Sequence, residues 1–177
     1  RRAIVVRCAV THSFRHRRRE HEMGADKNRK RVGEILDRAM EGEPELLDAR
    51  HVEEMPPKVL GALGEELAAR YLESRGYEIV ERNYRCCEGE ADLVVYDPSS
   101  EEVVLVEVKA RRGHEADCYP EEAVSRSKRR RYRRIAHQFI ADHYPCPSIR
   151  FDVIAVSFDT VSVGEIRHLY GAFDWEA

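Results

Sequence analysis

The chain has 177 residues, a length that fits one domain with an appendage. Hydrophobic residues make up 42%, enough for one core, while charged residues make up 36% at a formal net charge of only −3, which excludes a whole-chain polycation. No apolar run is long enough for a membrane span, and five cysteines without a C-x-x-C pair exclude a zinc knuckle and point to reduced thiols in the cytoplasm.

Residues 1–57 read as a charged extension, largely disordered or loosely helical. A basic block that includes Arg15-His16-Arg17-Arg18-Arg19 gives way to an acidic one from Glu34 to Glu54, and neither has the apolar periodicity of a core. Val32, Ile35, Leu36, Ala39 and Met40 carry a weak helical pattern across the join, and Met23 and Met55 each offer an alternative start. The compact domain spans 58–177. Val59, Leu60, Leu63, Leu67, Ala68, Tyr71 and Leu72 predict a helix over 58–75, stopped by Gly76. Strands follow at 77–80, 91–96 and 103–108, with a turn at Asp97-Pro98-Ser99-Ser100. A long helix is predicted from Pro120 to about His143, ended by Pro145 and Pro147, and the last strands run over 149–157 and 161–169. Three strands joined by short turns make an antiparallel meander. The helical crossover to a fourth allows parallel pairing, so the fold class is α/β, a mixed sheet flanked by helices.

Side chains alternate along a strand, so Glu107 and Lys109 share a face with apolar Val103 and Leu105, and Glu90 and Asp92 share one with Val94. A solvated face would be polar along its length; these strands are charged only at one end. Direct pairing of the two strands sets Asp92 beside Glu107. Two carboxylates at the edge of an apolar layer repel, so one takes up a proton or a cation neutralises both. Oxygen donors favour Mg²⁺ or Mn²⁺, and such an ion with Lys109 nearby suits attack of water on a phosphodiester. The competing reading is a structural salt-bridge cluster at a strand end; the otherwise apolar strands favour the site. Glu65, beside Gly61 and Gly64 on the first helix of the domain, is either a third carboxylate or a solvent-facing residue. Two glycines in a helix imply close approach to the sheet or to a nucleic-acid backbone.

Arg126, Lys128, Arg129, Arg130, Arg131, Arg133 and Arg134 crowd the long helix without an interleaved acid, and Arg111 and Arg112 follow Lys109. This pattern favours phosphate contact over a merely solvated face. Tyr132, within the run, reads as core rather than as a stacking platform. The histidines form no metal set: His137 and His143 lie on different helical faces.

Seven stretches stand out in order: Gly61-Ala-Leu-Gly-Glu-Glu-Leu-Ala68, Gly76-Tyr77, Glu81-Arg82-Asn83-Tyr84-Arg85, Gly89-Glu90-Ala91-Asp92-Leu93, Val106-Glu107-Val108-Lys109, Pro120-Glu-Glu-Ala-Val124 with Ser127-Lys128, and Arg150-Phe151-Asp152-Val153. On these stretches residues 58 to about 174 resemble the bacterial YraN-like family (UPF0102), which is similar to archaeal Holliday-junction resolvases and the wider restriction-endonuclease-like superfamily. The resemblance implies a PD-(D/E)xK core of order α-β-β-β-α-β, with Asp92, Glu107 and Lys109 as its signature and Glu65 as an accessory acid. It marks Glu90, Arg82, Asn83, Arg111, Lys128 and Asp152 as family positions. Asp152 also reads as one polar residue in an apolar strand, able to pair with a nearby arginine. Ala110, where the family more often has Thr, and the loop 113–119 depart from the pattern. The expectations are an Mg²⁺-dependent (or Mn²⁺-dependent) endonuclease acting on DNA, branched or damaged, with Asp92, Glu107 and Glu65 at the metal. Arg82, Arg111, Lys128, Arg129 and Arg130 are expected on the nucleic acid, and a homodimer is expected by analogy. The rival expectation is a non-catalytic module that keeps the fold and binds nucleic acid or protein.

Overall fold

The computed structural model of the chain describes residues 26–112, 125–158 and 165–175. The basic block at Arg15–Arg19, the loop 113–119, the helix entry at 120–124 and the start of the last strand at 161–164 lie outside the described residues.

Three antiparallel strands open the sheet: β1 (Glu78–Cys86), β2 (Gly89–Asp97) and β3 (Glu102–Arg112). Then β4 (Ile149–Phe158) pairs parallel to β3, and β5 (Glu165–Leu169) pairs antiparallel to β4. The spatial order is β1-β2-β3-β4-β5. The expected α/β class and element order are therefore observed. The β2–β3 turn is set by Asp97, whose Oδ1 accepts from the Ser99 amide at 2.9 Å and the Ser99 hydroxyl at 2.6 Å.

Two layers of side chains cover the sheet. The β-branched run of β3 splits between them by alternation. Val104, Val106 and Val108 face one core with Leu93 and Val95, while Val103 and Leu105 face the other with Val94. A helix preceding β1, Pro57–Ser74, packs Leu63, Ala68 and Leu72 on the first core. It starts at Pro57 and closes at Gly76, whose φ of 90° suits glycine. The crossover helix, Arg126–Asp142, packs Tyr132, Ile135, Ala136 and Phe139 on the second. This helix starts later than the expected Pro120: Ser125 is its N-cap, with Oγ accepting from the Lys128 amide at 3.3 Å.

The boundary expected at residue 57 also moves. Asp26–Glu41 and Ala49–Glu54 are helical, with a 3₁₀ turn at Pro44–Leu47 between them. Val32, Leu36, Leu47 and Val52 are buried in the same core as Val59, Leu60 and Leu63. Too few apolar residues exist here for an independent core, yet enough to roof one that another helix begins. Arg70 pairs with Asp37 at 2.8 Å, and Arg112 Nε donates to Val52 O at 2.9 Å, so the layer is also tied by charge and hydrogen bonds. In chain order the helices are α1 (Asp26–Glu41), α2 (Ala49–Glu54), α3 (Pro57–Ser74) and α4 (Arg126–Asp142). No helix among the described residues is long and apolar enough to cross a membrane. Cys86, Cys87 and Cys146 are free thiols.

Candidate active site

The β2–β3 ladder ends at Leu93↔Val106. One step further in the same register, Asp92 faces Glu107 across the two strands, at the end where β3 carries Lys109. Instead of continuing the ladder, the Asp92 carboxylate reaches the neighbouring backbone: its Oδ2 accepts from the Val108 amide at 2.7 Å. On the other side of β2, the register Tyr84↔Ala91 and Arg82↔Leu93 brings Asn83 level with Asp92. Asn83 has φ 54°, a left-handed conformation that asparagine tolerates better than most residues.

Glu107 is buried and held by three side chains. Its Oε1 receives the Lys109 ammonium at 2.6 Å and the Lys128 ammonium in a second ion pair. Its Oε2 accepts the Tyr132 hydroxyl at 2.6 Å. Lys128 and Tyr132 lie one turn apart on α4, so their side chains descend on the same spot of the sheet. Burial opposes ionisation of Glu107, but hydrogen bonds from Lys109, Lys128 and Tyr132 outweigh it and hold the carboxyl below the ordinary glutamate range. Burial and the Glu107 charge push the Tyr132 phenol far above its ordinary value, so it stays a donor.

Asp92 behaves in the opposite sense. Burial first, then the charge of Glu107, raise it to about 7, against the lowering influence of the Val108 amide. Glu65 is raised too, by burial and by the charges of Glu90 and Glu107, while the Asn83 side-chain amide stabilises its charged form. Asn83 Nδ2 stands 3.4 Å from Glu65 Oε2. What lets α3 bring Glu65 this close is Gly64. A Cβ there would lie 2.5 Å from Ala110 Cβ, whereas a Cβ at Gly61 would meet nothing within 4 Å. Of the two glycines, one makes the approach to the sheet and the other does not.

The structure thus gathers Asp92, Glu107, Lys109 and Lys128 into one cluster, with Glu65 within its electrostatic reach. Lys128, expected on a phosphate patch, belongs to this cluster. The other expected residues lie elsewhere. Arg82 Nη1 pairs with Glu66 at 2.6 Å. Glu90 is exposed and pairs with Arg85 at 3.2 Å. Arg111 is exposed beyond Lys109, at the register position of Ser157. Arg130 is exposed on α4, whereas Arg129 is half-buried with its guanidinium 5.9 Å from the Phe173 ring centre. Arg134 pairs with Glu88 at 2.6 Å, so α4 is not wholly a free basic face. Asp152 sits away from the cluster, paired with Arg150 at 3.0 Å and His168 at 2.9 Å. Tyr132 was missed as a site residue. Only its i, i+4 spacing from Lys128 within a basic run signals it.

Among the described residues no three Asp, Glu, His or Cys side chains converge closely enough to hold an ion by themselves. The pair on opposed strand positions nonetheless fits a hard divalent ion, because Mg²⁺ is commonly held by one or two carboxylates with water completing its shell. Burial first, and then the Glu107 charge, make the ionised form of Asp92 costly, a cost that such an ion would relieve.

Residues 64–156 match the family described as "Uncharacterised protein family UPF0102". Proteins described as UPF0102 protein are also similar to the chain. One from Beutenbergia cavernae is 44% identical over 113 residues, 63% of this chain and 93% of that protein. One from Frankia alni is 44% identical over 115 residues, 64% and 93% of the two chains. One from Desulforamulus reducens is 43% identical over 118 residues, 65% and 95%.

Proposed function

The chain belongs to the UPF0102 family, and from its site we propose that it is a metal-dependent endonuclease hydrolysing phosphodiester bonds of DNA, branched or damaged. One observation carries the reading. Asp92 and Glu107 meet at the ends of two apolar strands with Lys109 on Glu107 at 2.6 Å, and Asp92 is raised to about 7 by burial and by that neighbour. A structural ion pair would lower the acid instead.

Asp92 and Glu107 would hold Mg²⁺ or Mn²⁺, with Glu65 as the accessory acid. The bound ion would supply Lewis acidity and an activated water. Tyr132 and the Val108 amide fix the two carboxylates so that their oxygens need no reorganisation. Burial works against the charge of Lys109, but Glu107 outweighs it and keeps the ammonium protonated. It can therefore orient a water or stabilise negative charge on phosphate oxygens, but not act as a base. Exposed Arg126, Arg130 and Arg131 on α4 offer charge to the nucleic-acid backbone. The reading places the protein in the cytoplasm with nucleic acid as its partner, and pairing of two copies would serve a branched substrate.

A second reading, a module that binds nucleic acid or protein without cutting, draws on one feature: both Glu107 oxygens are already engaged by side chains. Full-length protein incubated with linear, flapped and four-way DNA, with and without Mg²⁺ or Mn²⁺, separates the two. The nuclease cuts at least one substrate only with metal, and Lys109→Ala reduces cutting by about 10²–10³-fold. Cutting undiminished by Lys109→Ala, or no cutting at all, favours the binding module.

A further inference from the structure

Asp92, Glu107, Lys109 and Lys128 form a quartet of two acids and two ammonium groups. The two ammonium groups differ in origin. Lys109 is on the same strand as Glu107, two residues on, so alternation alone delivers it. Lys128 comes from the first turn of α4 and crosses to the same atom, Glu107 Oε1. Glu107 is thus supplied with one more cation than its own charge needs, at a place where a divalent ion would bind Asp92 and Glu107 together.

An ion with two positive charges cannot simply be added to a balanced, half-buried quartet, because excess charge in low dielectric is costly. One ammonium must give way. Lys109 stands on β3 where that strand still pairs with β4, its backbone at the register position of Ala155. Lys128 has a long flexible stem, and Ser125, Arg126 and Ser127 beside it are exposed. Tyr132 holds the other carboxylate oxygen, so Glu107 keeps its orientation when Lys128 leaves.

We propose that Lys128 is a built-in counter-cation, which holds Glu107 in place of a divalent ion and is displaced toward the substrate's phosphates when the ion binds. The proposal rests on the metal-site reading above. Under it Lys128 serves as a positioning residue on Glu107 in one state and as a phosphate contact in the other.

The test is calorimetric titration of Mn²⁺ and Mg²⁺ into the full-length chain, wild type, Lys128→Gln and Lys128→Arg, beside melting curves in EDTA. Lys128→Gln should show effects of opposite sign. Without metal its melting temperature falls, because Glu107 loses a counter-charge. With metal it binds roughly tenfold more tightly, because no ammonium competes, whereas loss of an ordinary supporting partner weakens metal binding by about 10–100-fold. Lys128→Arg, which keeps the charge, should stay near wild type. Equal or weaker metal binding by Lys128→Gln overturns the proposal and leaves the metal site standing; absence of binding to wild type removes both. A measurement without variants covers a Gln form that does not fold. In reductive methylation followed by mass spectrometry, Mn²⁺ should raise labelling of Lys128 several-fold relative to exposed Lys58, and unchanged labelling overturns the proposal.

Discussion

The sheet carries a buried charge cluster at each end of β3, and the two are built on opposite terms. At the end where β3 begins, Arg150 meets Asp97 at 3.1 Å, Glu102 at 2.9 Å and Asp152 at 3.0 Å. The Tyr77 hydroxyl, His168 and the Gly171 amide complete the cluster. Burial raises Asp97, but hydrogen bonds from Ser99 and Arg150 overcome it and take the carboxyl down to about 2. Asp152 is likewise held low, against burial, by His168, Arg150 and Gly171. At the end where β3 carries Lys109, Asp92 goes up rather than down. One cluster has its acids satisfied and reads as a structural joint between β2, β4 and β5. The other leaves an acid poorly compensated, which costs stability and is explicable by something to be bound.

The largest expected effect breaks the joint. Arg150→Met leaves Asp152 and Asp97 buried without their guanidinium, and denaturant unfolding should show a loss of about 3–5 kcal/mol. A loss below about 1 kcal/mol would dissolve the distinction between the two ends. Next comes acid. The folded-state value of Asp97 lies below its ordinary 3.8, so its contribution is present above that value and is lost as pH falls toward about 2. Melting across this window should show a stability decline on the order of 2 kcal/mol that Asp97→Asn lacks. The smallest effect has the opposite sign. Asp92→Asn relieves repulsion from Glu107, so the metal-free protein should hold its stability or gain about 0.5–1 kcal/mol. The same variant should lose any metal-induced rise in melting temperature. A marked loss of metal-free stability in Asp92→Asn would make Asp92 a structural acid like Asp152.

Much of the site was legible because strand periodicity is a local rule. Alternation put Glu107 and Lys109 on one face, and a short turn set Asp92 level with Glu107. The pairing of Asp152 with a nearby arginine followed from the same reasoning, since Arg150 is two residues away on its own strand. His168, which joins them, was not legible, because only the β4–β5 pairing brings it there. The contacts of Lys128 and Tyr132 with Glu107 escaped for a similar reason. Both side chains reach Glu107 from 21 and 25 residues away, across a helical crossover, and a run of like charge looks the same whether it faces solvent or one residue of it folds inward. The helical pattern of Val32, Ile35, Leu36, Ala39 and Met40 was legible, but its packing on the domain core was not, because the stripe is sparse and flanked by charge. Val32 and Leu36 need no core of their own when α3 already presents one.

Gly64 has a consequence for how such a site can be altered without touching its chemistry. With a Cβ at position 64 placed 2.5 Å from that of Ala110, helix and strand share a space that holds one methyl group and not two. Added bulk on either side acts as a wedge, lifting the helix that bears Glu65 off the strand that bears Glu107 and Lys109. The spacing of the candidate site is thus set by two residues that bear no functional group, and a change at either would detune it while every charged residue stayed in place.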